Sequence, residues 1–549
     1  MFLIPCLATA QSAPDAGALL QQIERQQHDA LPPRSAPQFV PPPVMQSLGA
    51  PTMIVTSFRF AGNALLTSEQ LRSVVARFIG HPVGFTDLQN AAIEVATAYR
   101  KAGWVVRAYL PEQEIAQGSV TIQIVEARFG NVRVEGNPRR DSAARLTRII
   151  ERAQISGAPV NANALDRGLL LVGDTPGVTV TGTLAEGRKE AETDLVLGVA
   201  DGPLVTGDVT ADNAGARATG AARIIIDASL NSPLKMGDRL DGTFLHSAGS
   251  NYERLAYSVP VGSDGWRVGV NASQLNYKVV TAAFSALDAH GTSTTAGLEA
   301  KYPIVRSRLA NLYAVFNLDD RRFDNDSAGA TTTRYTLQAA SVGLNGNLFD
   351  EFGGGGANTA GVTFEQGHLD LEGSPNEAAD ALTTQTAGSF DKLRFSAGRQ
   401  QAVTERFSLY AGFSGQVASK NLDSSEKLYL GGADGVRAYP ANEAGGADGV
   451  LADLEARERL PANFNTVEFV DWGSIRVNEN NHIAGAAKPN VEDLKGAGVS
   501  LGWTANFGLS LKATISHRIG SNPNPTSTGD DQDGSLVRNR VWLQASMPF

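Results

Sequence analysis

The chain ends on "VWLQASMPF", from Val541 to Phe549, and this segment is the strongest indication of the fold class. Read as a β-strand, it places apolar side chains on one face and others on the opposite face, because successive residues alternate across a strand. The first face carries Val541, Leu543, Ala545, Met547 and Phe549, and the second carries Trp542, Gln544 and Ser546. A closing strand with one apolar face and a terminal aromatic residue is typical of a β-barrel that presents that face to lipid.

The same alternation of apolar and polar residues continues through residues 204–549. Segments such as "WRVGVNASQLNYKV" (266–279) and "RFSLYAGFSGQVA" (406–418) are separated by clusters of Gly, Asn, Asp and Ser. At about 10 residues per strand, with short turns and longer outer loops, this length predicts on the order of 16 antiparallel strands. A pair of large soluble β-sandwiches is the alternative, although few soluble all-β domains run this long without a break.

Residues from Ile54 to about Pro203 read instead as mixed α and β. A strand ending at a Gly-Asn turn precedes two helices, with capping residues predicted at Thr67 and Thr86, and two strands follow. A weaker copy begins at once, because "NVRVEGNP" (131–138) echoes "SFRFAGNA" (57–64). We predict two tandem βααββ units, residues 52–128 and 129–203. Chance similarity between two α+β domains is the alternative.

The N-terminal stretch indicates export. "MFLIPCLATAQS" (1–12) holds a short apolar segment ending in a small-x-small pattern, so we expect residues 1–12 to be the remnant of a signal peptide. An untranslocated tail is the alternative. Residues 13–51 follow as a short helix capped by Asp15, carrying Leu19, Leu20 and Ile23, and then a tether with seven prolines.

Composition excludes several function classes. The net charge of -10 and the lack of a long basic run argue against nucleic-acid binding. Cys6 is the only cysteine, and the seven histidines are scattered, so we expect no disulfide framework, no metal site and no cofactor. "GFSGQ" (412–416) lacks the spacing of a serine nucleophile elbow, and "GDDQDGS" (529–535) lacks the ligand order of a calcium loop. We therefore expect no catalytic residues and no enzyme.

One loop stands apart from this pattern. "LGGADGVRAYP" (430–440) places three glycines and a single arginine, Arg437, in a segment without hydrophobic periodicity. The guanidinium is either solvated on a surface loop or partly desolvated and paired with a carboxylate, since it is always charged.

Several segments resemble, in their order along the chain, the outer-membrane transporters of bacterial two-partner secretion, the ShlB/FhaC/HecB type of the POTRA-barrel superfamily. They are "LPEQEIAQGSVTIQIVEAR" (110–128), "DNAGARATGAARIIIDASLNSPLKMGDRL" (212–240), "YPIVRSRLANLY" (302–313) and "QVASKNLDSSEKLYLGGADGVRAYP" (416–440). The resemblance implies a transmembrane β-barrel at 204–549, preceded by two periplasmic POTRA domains in a Gram-negative bacterium. It implies type V export of an unfolded, adhesin-like or hemolysin-like exoprotein with an N-terminal secretion domain.

The resemblance also implies roles for individual residues. The loop motif Val436, Arg437, Ala438 and Tyr439 would fold into the lumen, with its arginine against Asp471 of the strand motif Phe469, Asp471 and Gly473. The helix with Leu19, Leu20 and Ile23 would plug the lumen, and Phe549 would signal insertion into the lipid bilayer by the barrel assembly machinery. Ala438 replaces the usual glycine, which would cost about 1 kcal/mol if the position needed a positive φ.

Two alternatives remain open. The barrel assembly insertase belongs to the same superfamily but usually carries more POTRA domains than the two predicted here. A plain porin is the second alternative, and the mixed α and β region at residues 54–203 argues against it.

Overall fold

The computed structural model describes residues 15–25, 31–34, 53–115, 117–189, 191–281 and 286–549. The predicted signal peptide and most of the predicted tether lie outside these residues. Near the start of the described chain, helix α1 (Ala16–Glu24) follows Asp15, whose side chain accepts a hydrogen bond from the Ala18 amide. Within the ranges just given, no helix is both long enough and apolar enough to cross a bilayer.

The first α+β unit is built on a three-stranded sheet. Its elements are β1 (Met53–Ile54), β2 (Ser57–Ala61), α2 (Ser68–Val75), β3 (Pro82–Val83), α3 (Phe85–Lys101), β4 (Val106–Tyr109) and β5 (Ser119–Glu126). β2 pairs parallel with β5 and β4 pairs antiparallel with β5, so β2 and β4 are the sheet edges. One hydrophobic core joins both helices to the sheet.

The helix starts of this unit are set by side chains that bond backbone amides of the cap residue or of the first turn. α2 begins with the capping box predicted from Thr67 and Gln70. The start predicted at Thr86 is wrong, because Thr86 lies inside α3. The cap of α3 is Gly84, whose amide donates to the Asp87 carboxylate at 2.9 Å.

Glu126, at the end of β5, closes the unit. Its Oε1 accepts hydrogen bonds from the Ala64 and Leu65 amides, at 2.7 and 2.8 Å, and from the Tyr99 hydroxyl at 2.9 Å. Burial raises the pKa of Tyr99, and the hydrogen bond to Glu126 raises it further, so Tyr99 stays a neutral donor. The last residue of the sheet therefore fixes both the turn after β2 and helix α3.

The second unit repeats this topology. Its elements are β6 (Arg128–Glu135), α4 (Ala143–Ala153), α5 (Ala162–Gly173), β7 (Val178–Glu186) and β8 (Glu192–Asp201). β6 pairs parallel with β8 and β7 pairs antiparallel with β8, so both units have the same βααββ arrangement.

Backbone hydrogen bonds join the two units. The Val105 amide donates to the Val160 carbonyl at 3.1 Å, the Val160 amide donates to the Ala127 carbonyl at 2.8 Å, and the Ala162 amide donates to the Gly103 carbonyl at 2.8 Å. Because backbone groups make this joint, it fixes the two sheets more firmly than a flexible linker would.

The remaining chain forms a closed barrel of 16 antiparallel strands, which confirms the predicted fold class. The elements are β9 (Val205–Asp212), β10 (Arg223–Asn231), β11 (Arg239–Ser247), β12 (Ser250–Val261), β13 (Trp266–Lys278), β14 (His290–Arg306), β15 (Ala310–Ser327), β16 (Ala330–Asp350), β17 (Gly356–Asp370), α6 (Glu377–Leu382), β18 (Gly388–Ala402), β19 (Phe407–Ala418), β20 (Leu428–Tyr429), β21 (Gly445–Gly446), β22 (Asp448–Arg459), β23 (Phe464–Arg476), β24 (Val491–Thr504), β25 (Ser510–Arg518) and β26 (Asn539–Pro548). β20 and β21 pair with each other inside the long loop between β19 and β22.

The two faces of the wall differ as a lipid-embedded barrel requires. Large apolar side chains such as Val270, Leu298 and Leu318 are exposed on the outside. Inside, α1 packs its buried leucines and isoleucine against lumen-facing aromatic and aliphatic side chains of the wall, including Tyr252 and Leu337. The N-terminal helix therefore occupies the lumen.

The barrel closes where β26 meets β9, over five register pairs, whereas β10 and β9 pair over eight. Further hydrogen bonds lengthen this seam at both of its ends. Phe549 and Gly207 exchange backbone hydrogen bonds at 2.9 and 3.0 Å. Beyond the other end, the Asn213 side chain accepts from the Leu543 amide at 2.8 Å and donates to the Val541 carbonyl at 3.0 Å.

Candidate functional site

The loop between β19 and β22 folds inward, and its tip is buried. Val436, Ala438 and Tyr439 are fully buried in a cluster with wall residues that include Ile475 and Leu494. The tip is therefore part of the protein interior rather than a surface loop.

Three glycines shape the turn of this loop in two ways. Gly432 has a left-handed φ of 115°, which favours glycine. Gly431 and Gly435 have no left-handed φ; a side chain there would lie 2.2 Å from the Pro440 carbonyl oxygen or 2.0 Å from that of Leu430. Gly432 therefore provides the backbone conformation of the turn, whereas Gly431 and Gly435 allow a close approach of backbone segments.

Arg437 is held by two carboxylates. Its Nε lies 3.0 Å from Asp471 Oδ2 and its Nη2 lies 2.6 Å from Asp471 Oδ1, a forked pair. Its Nη1 donates to Glu455 Oε1 at 2.8 Å, and its backbone amide donates to Asp471 Oδ2 at 2.9 Å. Asp471 is fully buried, so the two charges depend on each other.

The other two residues of the strand motif also contact the loop. Phe469 presents its ring to the guanidinium, with the Arg437 Cζ 3.5 Å from the ring centroid, a cation–π contact. Gly473 leaves room for Leu430, since a side chain at 473 would lie 2.9 Å from it. Phe469, Asp471 and Gly473 all face the lumen side of β23, and the intervening Val470 is exposed.

Sequence reasoning missed Glu455, the second carboxylate. Glu455 lies on β22 opposite Phe469 of β23 and also accepts from Arg457 at 2.7 Å. The alternating charges of "DLEARE" (453–458) mark a polar lumen face, but nothing in them indicates which loop residue crosses to that face.

Ala438 does not need a positive φ, since it is absent from the residues with a left-handed backbone. Its methyl group instead faces Gly496 of β24, where a side chain would lie 2.6 Å from the Ala438 Cβ. The cost that a positive φ would carry at Ala438 therefore does not arise, and the room for its methyl group comes from a glycine on the barrel wall.

Helix α1 contacts the same loop. Ser424 donates to Asp15 Oδ1 at 2.8 Å, and Arg25 donates to the Tyr429 carbonyl. The Ala16 amide also donates to Asn325 Oδ1 of the wall at 2.9 Å. The helix therefore lies between the loop and the wall, in contact with both.

A buried charge cluster lies at this junction. Arg321 of β15 contacts Glu24 of α1 at 3.8 Å and Glu426 of the loop at 2.9 Å. Lys392 contacts Glu426 and, at 3.2 Å, Glu365. Among the described residues, no group of three or more histidine, cysteine or acidic side chains is arranged to hold a metal ion. The acidic members of this cluster pair with basic side chains instead.

The second unit is joined to one end of the barrel by forked ion pairs. Arg306 bonds both oxygens of Asp174 at 2.8 and 2.7 Å, and Arg308 bonds both oxygens of Asp166 at 2.6 and 2.8 Å. Arg306 ends β14 and Arg308 lies in the β14–β15 connection, whereas the aspartates belong to α5 and its C-terminal cap. No local pattern of residues indicates these contacts.

Comparison with known proteins places these features in a family. A model described as haemolysin secretion/activation protein ShlB/FhaC/HecB matches residues 191–505, and a ShlB-type POTRA domain matches residues 53–127. The chain is 25% identical over 503 residues to the heme/hemopexin transporter protein HuxB of Haemophilus influenzae, covering 89% of this chain and 85% of HuxB. It is 25% identical over 479 residues to the outer membrane transporter CdiB of Escherichia coli, covering 81% and 78% of the two chains.

A solved structure shares the fold. CdiB from Escherichia coli superposes with a TM-score of 0.69 at 21% sequence identity, covering 94% of each chain.

Proposed function

The chain belongs to the haemolysin secretion/activation family of the ShlB/FhaC/HecB type, and from this premise we propose how it exports its partner. It is an outer-membrane transporter of two-partner secretion, with its POTRA region in the periplasm. The observation that carries the proposal is a closed barrel whose lumen is filled by its own helix α1 and its own loop.

We propose that the partner is an adhesin-like or hemolysin-like exoprotein with an N-terminal secretion domain. Its unfolded chain would meet the sheet edges of the two α+β units, because an edge strand offers unpaired backbone donors and acceptors to an extended peptide. The identity of the partner and the edge that it uses stay open.

Passage requires the lumen to be cleared. α1 lies between the loop and the wall, so an extended chain needs α1 to leave. The 28 residues between α1 and β1 would supply the tether for this movement, since a chain of that length spans tens of ångströms even when coiled. We propose that Leu19, Leu20 and Ile23 are the plug face and that Arg437 and Asp471 hold the loop.

Transport is proposed to proceed without a catalytic step or a cofactor. The sequence carries no nucleotide-binding motif, and folding of the partner at the cell surface would supply the drive. We also propose the domain limits 13–51, 52–128, 129–203 and 204–549. We further propose that the barrel assembly machinery inserts the chain, with Phe549 as the signal, and that the barrel contacts outer-membrane lipid.

The experiment measures secretion of the protein encoded by the reading frame next to that of this chain, which is the expected partner. Its secretion is compared in cells with and without this chain. We expect the partner in the medium only when the chain is present, with unchanged amounts of unrelated outer-membrane barrels. Loss of unrelated barrels in its absence, without any exported partner, would contradict the proposal and favour an assembly insertase.

A further inference from the structure

The backbone carbonyl of Arg437 is bound as closely as its side chain. Ser516 Oγ of β25 donates to this carbonyl at 2.6 Å, and Trp542 Nε1 of β26 donates to it at 2.8 Å. Ser516 is fully buried and Trp542 is 9% exposed, so water does not compete for the acceptor. Both donors face the lumen side of the wall.

These bonds complete a row of contacts around the lumen. The side chain of Arg437 reaches Glu455 of β22 and Asp471 of β23, and its carbonyl reaches β25 and β26. Between them, the Ala438 methyl group packs against Gly496 of β24. One short segment of loop therefore contacts five consecutive strands, the last of which is the seam strand.

The indole N–H of Trp542 needs the acceptor that the Arg437 carbonyl provides. An indole N–H can only donate, and a buried one needs an acceptor. A barrel lumen is usually polar, so a tryptophan there is unexpected unless its N–H has a partner. The Arg437 carbonyl is that partner. If the two donors were removed, this carbonyl would be buried with no hydrogen bond to offset its desolvation.

We propose that Ser516 and Trp542 are positioning residues for the lumen loop. By holding the Arg437 carbonyl, they fix the backbone from which the guanidinium reaches Asp471, and they link the loop to the seam strand. Any effect on export rests on the function proposed above, whereas the effect on loop position does not.

The test measures loop mobility with a nitroxide attached to Ala433→Cys, in full-length protein carrying Cys6→Ser. The variants are Ser516→Ala and Trp542→Phe, alone and together. The matched controls are Ser500→Ala, whose buried hydroxyl pairs with Thr514 at 2.7 Å, and Trp472→Phe, which is 38% exposed on the lipid side. Heat-dependent gel migration verifies that every barrel is folded.

We expect each loop-facing variant to add a mobile spectral component, since loss of one hydrogen bond shifts the docked-to-undocked ratio about fivefold. The double variant should add more, and the controls should match the parent protein. An unchanged spectrum in the folded double variant would overturn the proposal. A mobile loop with normal export would support the positioning role and contradict the proposed role of the loop in export.

Discussion

At the scale of single residues, the site depends on groups that cannot be exchanged for similar ones. Arg437 bonds two oxygens of Asp471 and one of Glu455 at once, which the planar fork of a guanidinium allows and the single ammonium of lysine does not. Removing one partner of such a buried pair costs about 3–5 kcal/mol, because the other charge stays buried. The attachment of the loop to the barrel wall therefore tolerates little change at these positions.

A second residue-scale feature yields a compensation test. Gly496→Ala should destabilise the barrel, because its new methyl group would lie 2.6 Å from the Ala438 Cβ. Ala438→Gly removes that methyl group, so the double variant should regain most of the folded fraction. Heat-dependent gel migration of the purified variants measures this fraction. Equal damage in the single and double variants would show that the contact between the two positions is not the cause.

At the scale of elements, α1 and the lumen loop form one packed assembly. α1 buries its apolar face against the wall and bonds the loop through Asp15, while Arg321 contacts Glu24 of α1 and Glu426 of the loop. Displacing one of these elements removes partners from the other, so their movements are expected to be coupled.

This packing predicts how the channel responds to changes in α1. Leu20→Asp or Ile23→Asp should raise channel conductance in planar bilayers towards that of a chain lacking residues 12–50. The reason is that a carboxylate buried without partners costs several kcal/mol, more than one docked helix can offset. Gln22→Ala is the control, since it removes a hydrogen bond to the Ala214 carbonyl and one from Asn442 without burying a charge. Unchanged conductance in the deletion variant would exclude α1 as a plug.

The elements also show what could be predicted from sequence. Strand periodicity indicated the barrel and the two α+β units, because alternation is a local property that tertiary packing preserved. The partners of Arg437 were only partly predictable. Asp471 belongs to a recognisable motif, whereas Glu455, Ser516 and Trp542 meet the loop through a fold-back that no local pattern encodes.

At the scale of the whole molecule, three parts are joined by different kinds of contact. Backbone hydrogen bonds join the two α+β units, forked ion pairs join the second unit to the barrel, and a mostly apolar packing holds α1 in the lumen. The N-terminal region is therefore oriented on the barrel, with the sheet edges of both units set relative to the lumen.

The ion pairs predict a charge-reversal rescue. Arg308→Asp and Asp166→Arg should each reduce export, because like charges would then face each other where α5 meets the barrel. The two changes together should restore most of it. The control is the pair Arg322→Asp and Asp320→Arg on β15, whose side chains are 69% and 42% exposed. Failure of the double reversal to improve on the single ones would argue against this contact as a requirement for export.

The most direct test of the account is export of the partner by Arg437→Ala and Asp471→Ala variants, with barrel assembly followed in parallel. The account predicts that both variants assemble in the outer membrane, yet leave the partner in the periplasm, because the loop has lost its ion pair with β23. Normal export by assembled variants of either kind would contradict it.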